Sequence, residues 1–118
     1  MKIKIHTPLY STENSEKIKN ALEDIFSIKF QIKKDKIVGN SKDIKVLSRV
    51  REKIQKERIK NTALFLIENN KRDNESKFEL NKQTAMIGKV HFVEEEYALG
   101  NIVVEFDDSE KVEEYFST

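Results

Sequence analysis

The sequence predicts an α+β fold in which helices pack on one face of a small, largely antiparallel sheet. Some segments alternate apolar and polar residues, as half-buried strands do, and others carry apolar residues every three or four positions, as helices do. The two kinds are mixed without the strict alternation of a parallel α/β protein. With 118 residues, the chain suits a single domain spanning 1–118 with one core.

The first elements are a strand and a helix. Residues 2–6 alternate, with Ile3 and Ile5 on one face, and Pro8 ends the strand. Asn14 then caps a helix over residues 15–26. Its apolar stripe consists of Ile18, Ala21, Leu22 and Ile25.

A hairpin and a long helix follow. Alternation over 28–32, a polar turn at 33–36 and apolar residues at 37–38 predict a β-hairpin. Ser41 is a good N-cap for a helix extending to about Glu68. Its apolar stripe is Ile44, Leu47, Val50 and Ile54.

The second half contains shorter elements. A polar, Asn-rich loop over 69–76 precedes a strand at 78–80 and a brief helix over 82–87 that Gly88 stops. A strand at 90–93, a loop over 94–100 and a strand at 102–106 come next. The last helix is capped within 107–109, and its apolar residues are Val112, Tyr115 and Phe116.

The composition favours a cytoplasmic protein. The chain has no cysteine, which excludes disulfides, thiolate metal sites and cysteine nucleophiles and agrees with a reducing compartment. The longest apolar run covers only residues 63–67, far short of the roughly 20 residues that a membrane helix needs. The first residues lack the apolar stretch of a signal peptide, so no membrane association is expected.

The net charge of +1 hides a strong asymmetry along the chain. Residues 29–60 contain twelve Lys or Arg and four acids, a net charge of +8, whereas residues 90–118 contain nine acids and one Lys. Such asymmetry indicates an interaction surface.

The basic residues of the predicted long helix fall within one arc, away from its apolar stripe. They are Lys42, Lys45, Arg49, Lys53, Lys56 and Lys60. Cations in such a row can follow the phosphates of RNA, so we predict a non-enzymatic RNA-binding protein. The alternative is that the row is the solvated face of an amphipathic helix.

A second hypothesis is a homodimeric scaffold or protein-interaction module without affinity for nucleic acid. The acidic segment 107–114 would meet the basic helix of the same or a neighbouring subunit. A small sheet also has exposed edges, and pairing of edges or helices across a two-fold axis covers them.

No catalytic, metal or cofactor site is expected. His6 and His91 stand in strand-like segments without the partners of a triad, and the three glycines are isolated, so no phosphate-binding loop is present. Glu94, Glu95 and Glu96 contain carboxylates that can bind a cation, but neighbouring carboxylates in a loop favour solvation.

The aromatic residues divide between core and surface. The seven phenylalanines mostly fall on predicted core faces, Phe65 among them, whereas Tyr10 and Tyr97 are the candidates for stacking on an unpaired base.

Asn81, Lys82 and Gln83 stand at a predicted strand-to-helix junction. A helix N-terminus with nearby amides can bind phosphate, which adds Lys82 to the predicted RNA contacts. The alternative is a capping arrangement in which Asn81 accepts a hydrogen bond from the next turn.

Two segments resemble a small archaeal family. They are the stretch from Asn81 to Phe92 and the later Leu99-Gly100-Asn101-Ile102. The likeness extends over most of the chain through Ile5-His6-Thr7-Pro8, Thr12-Glu13 and the Arg58-Ile59 stretch that leads to Thr62-Ala63. Ala98 stands where relatives are expected to have proline. The resemblance implies a fold similar to the large-subunit ribosomal protein that binds five-S RNA. Members are often labelled predicted RNA-binding or exosome-associated proteins, and no catalytic residues are carried over.

Overall fold

The computed structural model describes residues 1–95 and 99–118. Its strands are Ile3–Pro8 (β1), Gln31–Ile32 (β2), Lys36–Ser41 (β3), Ser76–Leu80 (β4), Phe92–Val93 (β5) and Ile102–Phe106 (β6). Its α-helices are Ser15–Phe26 (α1), Ser48–Glu57 (α2), Lys60–Asn69 (α3), Lys82–Ala85 (α4) and Ser109–Ser117 (α5), and a 3₁₀ turn at Ile44–Leu47 precedes α2.

The strands form one antiparallel sheet in the order β2-β3-β1-β6-β4-β5. The first and last long strands, β1 and β6, pair at its centre, with Ile5 opposite Val104. Both strands alternate buried and more accessible residues, so this register places their buried side chains on the same face. The expected hairpin is confirmed, since β2 pairs with β3 through Gln31 and Val38.

The helices cover only one face of the sheet. On that face Ile3, Ile5, Phe78 and Val104 are buried in a cluster that also contains the apolar residues of α1, α2, α3 and α5. On the other face the polar members of the alternation, such as Lys4, remain accessible. The predicted α+β class, with helices on one face of an antiparallel sheet, is therefore confirmed.

Helix α1 has the predicted bounds. The Asn14 side chain accepts a hydrogen bond from the Lys17 backbone N–H at 3.1 Å, as an N-cap does. Ile18, Leu22 and Ile25 are buried, which confirms the predicted apolar stripe at three of its four positions, and Ala21 is half-buried.

The prediction of one long helix from Ser41 to Glu68 is wrong. Ser41 ends β3, Asp43 caps the 3₁₀ turn, and the helix breaks at Arg58, which adopts the left-handed conformation with φ 55°. The Arg58 N–H donates to the Ile54 carbonyl and closes α2.

The break has a physical cause in the phase of the apolar residues. At about 100° per residue, a continuous helix would point Ala63 and Ile67 away from the side that Val50 and Ile54 occupy. All four are buried in the structure. Only a change of direction between α2 and α3 brings both stripes to one core.

The remaining elements agree with the sequence in type. Asp108 caps α5 by accepting from the Lys111 N–H, and Val112 and Phe116 are buried. The loop after α3 is closed by two backbone hydrogen bonds between Arg72 and Glu75.

Of the predicted loop 94–100, Glu96, Tyr97 and Ala98 lie outside the described residues, so the stacking prediction for Tyr97 and the three-glutamate cluster stay predictions. Within residues 1–95 and 99–118, none of the helices has the length and apolar character needed to cross a bilayer.

Candidate nucleic-acid interface

The six cations of the predicted row are distributed over several elements. We call the part of the chain that contains them, residues 42–60, the basic segment. Lys42 follows β3 and Lys45 lies in the 3₁₀ turn, whereas Lys60 begins α3. Only Arg49, Lys53 and Lys56 lie on α2.

Four lysines of the basic segment are exposed, namely Lys42, Lys45, Lys56 and Lys60, and Arg58, which lies outside the predicted row, is exposed as well. Among the described residues, no carboxylate lies within 4 Å of their ammonium groups. These four are the lysines of the predicted row whose charge the fold leaves available.

Arg49 is occupied within the protein. One terminal nitrogen donates to the Gly88 carbonyl at 2.8 Å, and the other lies 3.6 Å from the Asp24 carboxylate. The guanidinium therefore joins α2 to α1 and to the turn after α4. Replacing it with Glu would disturb this packing as well as the surface charge.

Lys53 is also paired, through an ion pair with Glu57 one helical turn later. Pairs at this spacing on a helix are worth about 0.3–0.5 kcal/mol and are screened by salt. Lys53 can exchange its partner for a phosphate at small cost.

The structure excludes Lys82 from any surface for RNA, because its side chain is only 2% exposed. The ammonium donates to the Pro8 carbonyl at 2.7 Å, to the Leu99 carbonyl at 2.5 Å and to the Glu13 carboxylate at 3.1 Å. Burial lowers the pKa of Lys82 below its ordinary value, although hydrogen bonding to Glu13 opposes this shift. Lys82 therefore joins α4 to the end of β1 at Pro8 and to the segment before β6 at Leu99.

The capping alternative at this junction is the arrangement observed. The Asn81 side chain accepts from the Thr84 N–H at 2.9 Å. Tyr10, which is 44% exposed, lies with its ring 5.6 Å from the Lys82 ammonium.

Within one chain, no carboxylate of the acidic C-terminal helix pairs with a described cation of the basic segment. Arg51 is the main link between α2 and α5, and it donates to backbone carbonyls of Tyr115 and Thr118 at 2.9 Å. Arg51 also lies 4.9 Å from the Tyr115 ring. The link therefore uses none of the carboxylates of α5.

A polar cleft of about 950 Å³ lies away from the basic segment, between the open face of the sheet and the turn after α3. Basic and acidic residues both line it, and several of them bond to neighbouring groups of the protein. Lys71 lies 3.1 Å from Glu113 and 3.3 Å from Glu68, and these hydrogen bonds raise the pKa of Lys71. The Lys2 N–H donates to Asp107 at 2.7 Å and lowers the pKa of that carboxyl. Because Glu75, Glu105 and Asp107 lie among its cations, this cleft is less suited to a polyanion than a surface of cations alone.

The histidines and carboxylates do not assemble into a recognisable active site. His6 pairs with Glu105 at 3.0 Å on the open face of the sheet, and His91 is exposed. In the part of the chain that the structure describes, no three His, Asp or Glu side chains are placed to hold a metal ion.

Two exposed apolar residues were missed by the sequence analysis. Phe65, predicted for the core, is 59% exposed on α3, and Ile87 is 70% exposed after α4. The polar neighbours of Phe65 one turn away, Asn61 and Glu68, are the signal that could have placed it outside.

Comparison with known proteins identifies the relatives of this chain. A family model described as RNA binding matches residues 2–107. A UPF0201 protein of Methanothermobacter thermautotrophicus is 32% identical over 111 residues, covering 92% of this chain and 83% of the relative. A UPF0200/UPF0201 protein of Archaeoglobus fulgidus is also 32% identical, over 90% of this chain, which spans only 32% of that protein.

Solved structures agree with the fold. The crystal structure of a UPF0201 protein superposes with a TM-score of 0.77 at 31% identity, covering 92% of this chain and 83% of that chain. The UPF0201 protein from Methanococcus jannaschii gives 0.79 at 24% identity, covering 100% and 94%. The chain therefore belongs to the family that the matching model describes as RNA binding, and it is a relative of the archaeal UPF0201 proteins.

Proposed function

We propose that this protein is a non-enzymatic, cytoplasmic RNA-binding protein that contacts phosphates through the exposed lysines of the basic segment. The observation that carries the proposal is the set of four accessible ammonium groups, Lys42, Lys45, Lys56 and Lys60, without a carboxylate partner among the described residues. The description of the family as RNA binding supports it.

The contacts are electrostatic in character. Each lysine that neutralises a phosphate releases condensed counterions, so affinity should depend steeply on salt and little on sequence. Lys53 contributes when it leaves Glu57, whereas Arg49 supports the surface through Gly88 and Asp24. Lys82 has no part in the interface because its ammonium is buried.

Acetylation of lysines in the presence and absence of RNA tests the position of the interface. At low salt we expect saturating single-stranded RNA to protect Lys42, Lys45, Lys56 and Lys60, because phosphates cover their ammonium groups. Lys17 and Lys111, exposed on α1 and α5, are the matched controls and should react equally in both states. Equal protection of both sets would place the interface elsewhere.

The second candidate is a homodimeric or protein-interaction module, and the observation in its favour is Phe65, exposed at the centre of a polar face of α3. Pairing through the sheet edges is less suitable, since β2 and β5 have only two residues each. If RNA protects no lysine at low salt and the protein sediments as a dimer, this second function replaces the first.

A further inference from the structure

Ile87 is the most exposed large apolar residue in the described part of the chain. Its exposed fraction is 70%, above those of Phe65, Tyr10 and Ile32. A single exposed isoleucine is ordinary on a protein surface. What makes this one informative is the way in which the fold holds it and the charges around it.

The turn that carries Ile87 is rigidly built. The N–H groups of Ile87 and Lys89 both donate to the Thr84 carbonyl, at 3.2 and 3.0 Å. On either side of the turn, Ala85 and Val90 are buried in the core. Ile87 therefore projects from a fixed support and not from a loose loop, so little conformational freedom is lost when it is covered by a ligand.

This turn is docked on the basic segment. Arg49 donates to the carbonyl of Gly88, the residue that follows Ile87. Lys45 lies in the 3₁₀ turn, four residues before Arg49, and Lys89 follows Gly88 in the turn itself. Both lysines are exposed, and Asp24, at 3.6 Å from Arg49, is the acid that the fold brings to this position.

We infer that Ile87 is the apolar contact of the RNA interface and packs against an unpaired base while Lys45 and Lys89 hold the adjoining phosphates. An apolar tip between cations matches a nucleic acid strand, which presents flat apolar bases and regularly spaced charges. In a duplex the base faces are stacked inside, so a side chain reaches them only where a base is unpaired. The ligand class is accordingly single-stranded or bulged RNA. This inference rests on the proposed RNA-binding function.

The test compares two RNAs and three variants. Binding of wild type, Ile87→Ser, Ile87→Val and Phe65→Ser is measured with a single-stranded RNA and with a fully paired duplex of the same length. We expect Ile87→Ser to weaken binding of the single strand by about five- to tenfold, because the variant loses the burial of an apolar side chain. Its affinity for the duplex and its salt dependence should stay at the wild-type level, Ile87→Val should restore binding, and Phe65→Ser should match wild type.

The outcomes separate the inference from the function on which it rests. If wild type binds neither RNA at low salt, the proposed function and the inference both fail. If wild type binds RNA and Ile87→Ser binds both RNAs as wild type does, only the inference fails. An effect of Ile87→Ser on self-association alone, with RNA binding intact, would assign the residue to a protein interface and also overturn the inference.

Discussion

Replacing Lys82 with Met should destabilise the protein by about 3–5 kcal/mol, the range for breaking a buried ion pair by removing one partner. The variant keeps the apolar stem but leaves the Glu13 carboxylate in the interior without its cation, and the carbonyls of Pro8 and Leu99 lose their donor. Urea unfolding followed by circular dichroism measures the change.

Two further variants isolate the buried charge. Lys19→Met breaks an ion pair with Glu23 on the surface of α1 and should cost less than about 0.5 kcal/mol. The double variant Lys82→Met/Glu13→Gln no longer buries a lone carboxylate, so it should recover part of the loss. A cost for Lys82→Met as small as that for Lys19→Met would show that the ammonium is not buried as described.

Replacing Gly100 with Ala should cost about 2–5 kcal/mol, the sum of a left-handed backbone penalty and of overpacking. Gly100 has φ 77°, and a Cβ at this position would lie 2.3 Å from Cγ of Pro8. The Lys82 ammonium donates to the carbonyls of Pro8 and Leu99, so the segments that contain Pro8 and Gly100 cannot move apart without breaking these hydrogen bonds.

Gly88 provides a matched control for this substitution. Its φ is 76°, but a Cβ there would meet no atom within 4 Å. Gly88→Ala should therefore cost only the backbone term, about 1–2 kcal/mol. Equal losses of stability for Gly88→Ala and Gly100→Ala would contradict the close approach of Pro8 and Gly100.

The elements that could be predicted from the sequence are those with local signals. The alternation of β1 and the Asn14 cap of α1 act within a few residues, and both appear where they were expected. The break at Arg58 was missed because neither glycine nor proline marks it. Its signal was the shift in apolar phase between Ile54 and Ala63.

The candidate site shows a similar division. The concentration of cations in residues 42–60 could be recognised because charge is read directly from the sequence, but their placement on one continuous helix was wrong. The partners of Arg49 and Lys82 could not be predicted from the sequence, since Gly88 is 39 residues from Arg49, and Pro8 is 74 residues from Lys82. Local patterns do not contain such long-range contacts, and these contacts decide which cations remain free.

The salt dependence of RNA binding tests the central claim most directly. It is measured for wild type, for Lys45→Gln/Lys56→Gln and for Lys17→Gln/Lys111→Gln. Both double variants remove two exposed positive charges, so a general effect of net charge is the same in each. If Lys45 and Lys56 contact phosphates of single-stranded RNA, the slope of log affinity against log salt should fall in magnitude by roughly 1.4 in the first variant and stay at the wild-type value in the second. Equal slopes in the two variants would contradict phosphate recognition by the basic segment.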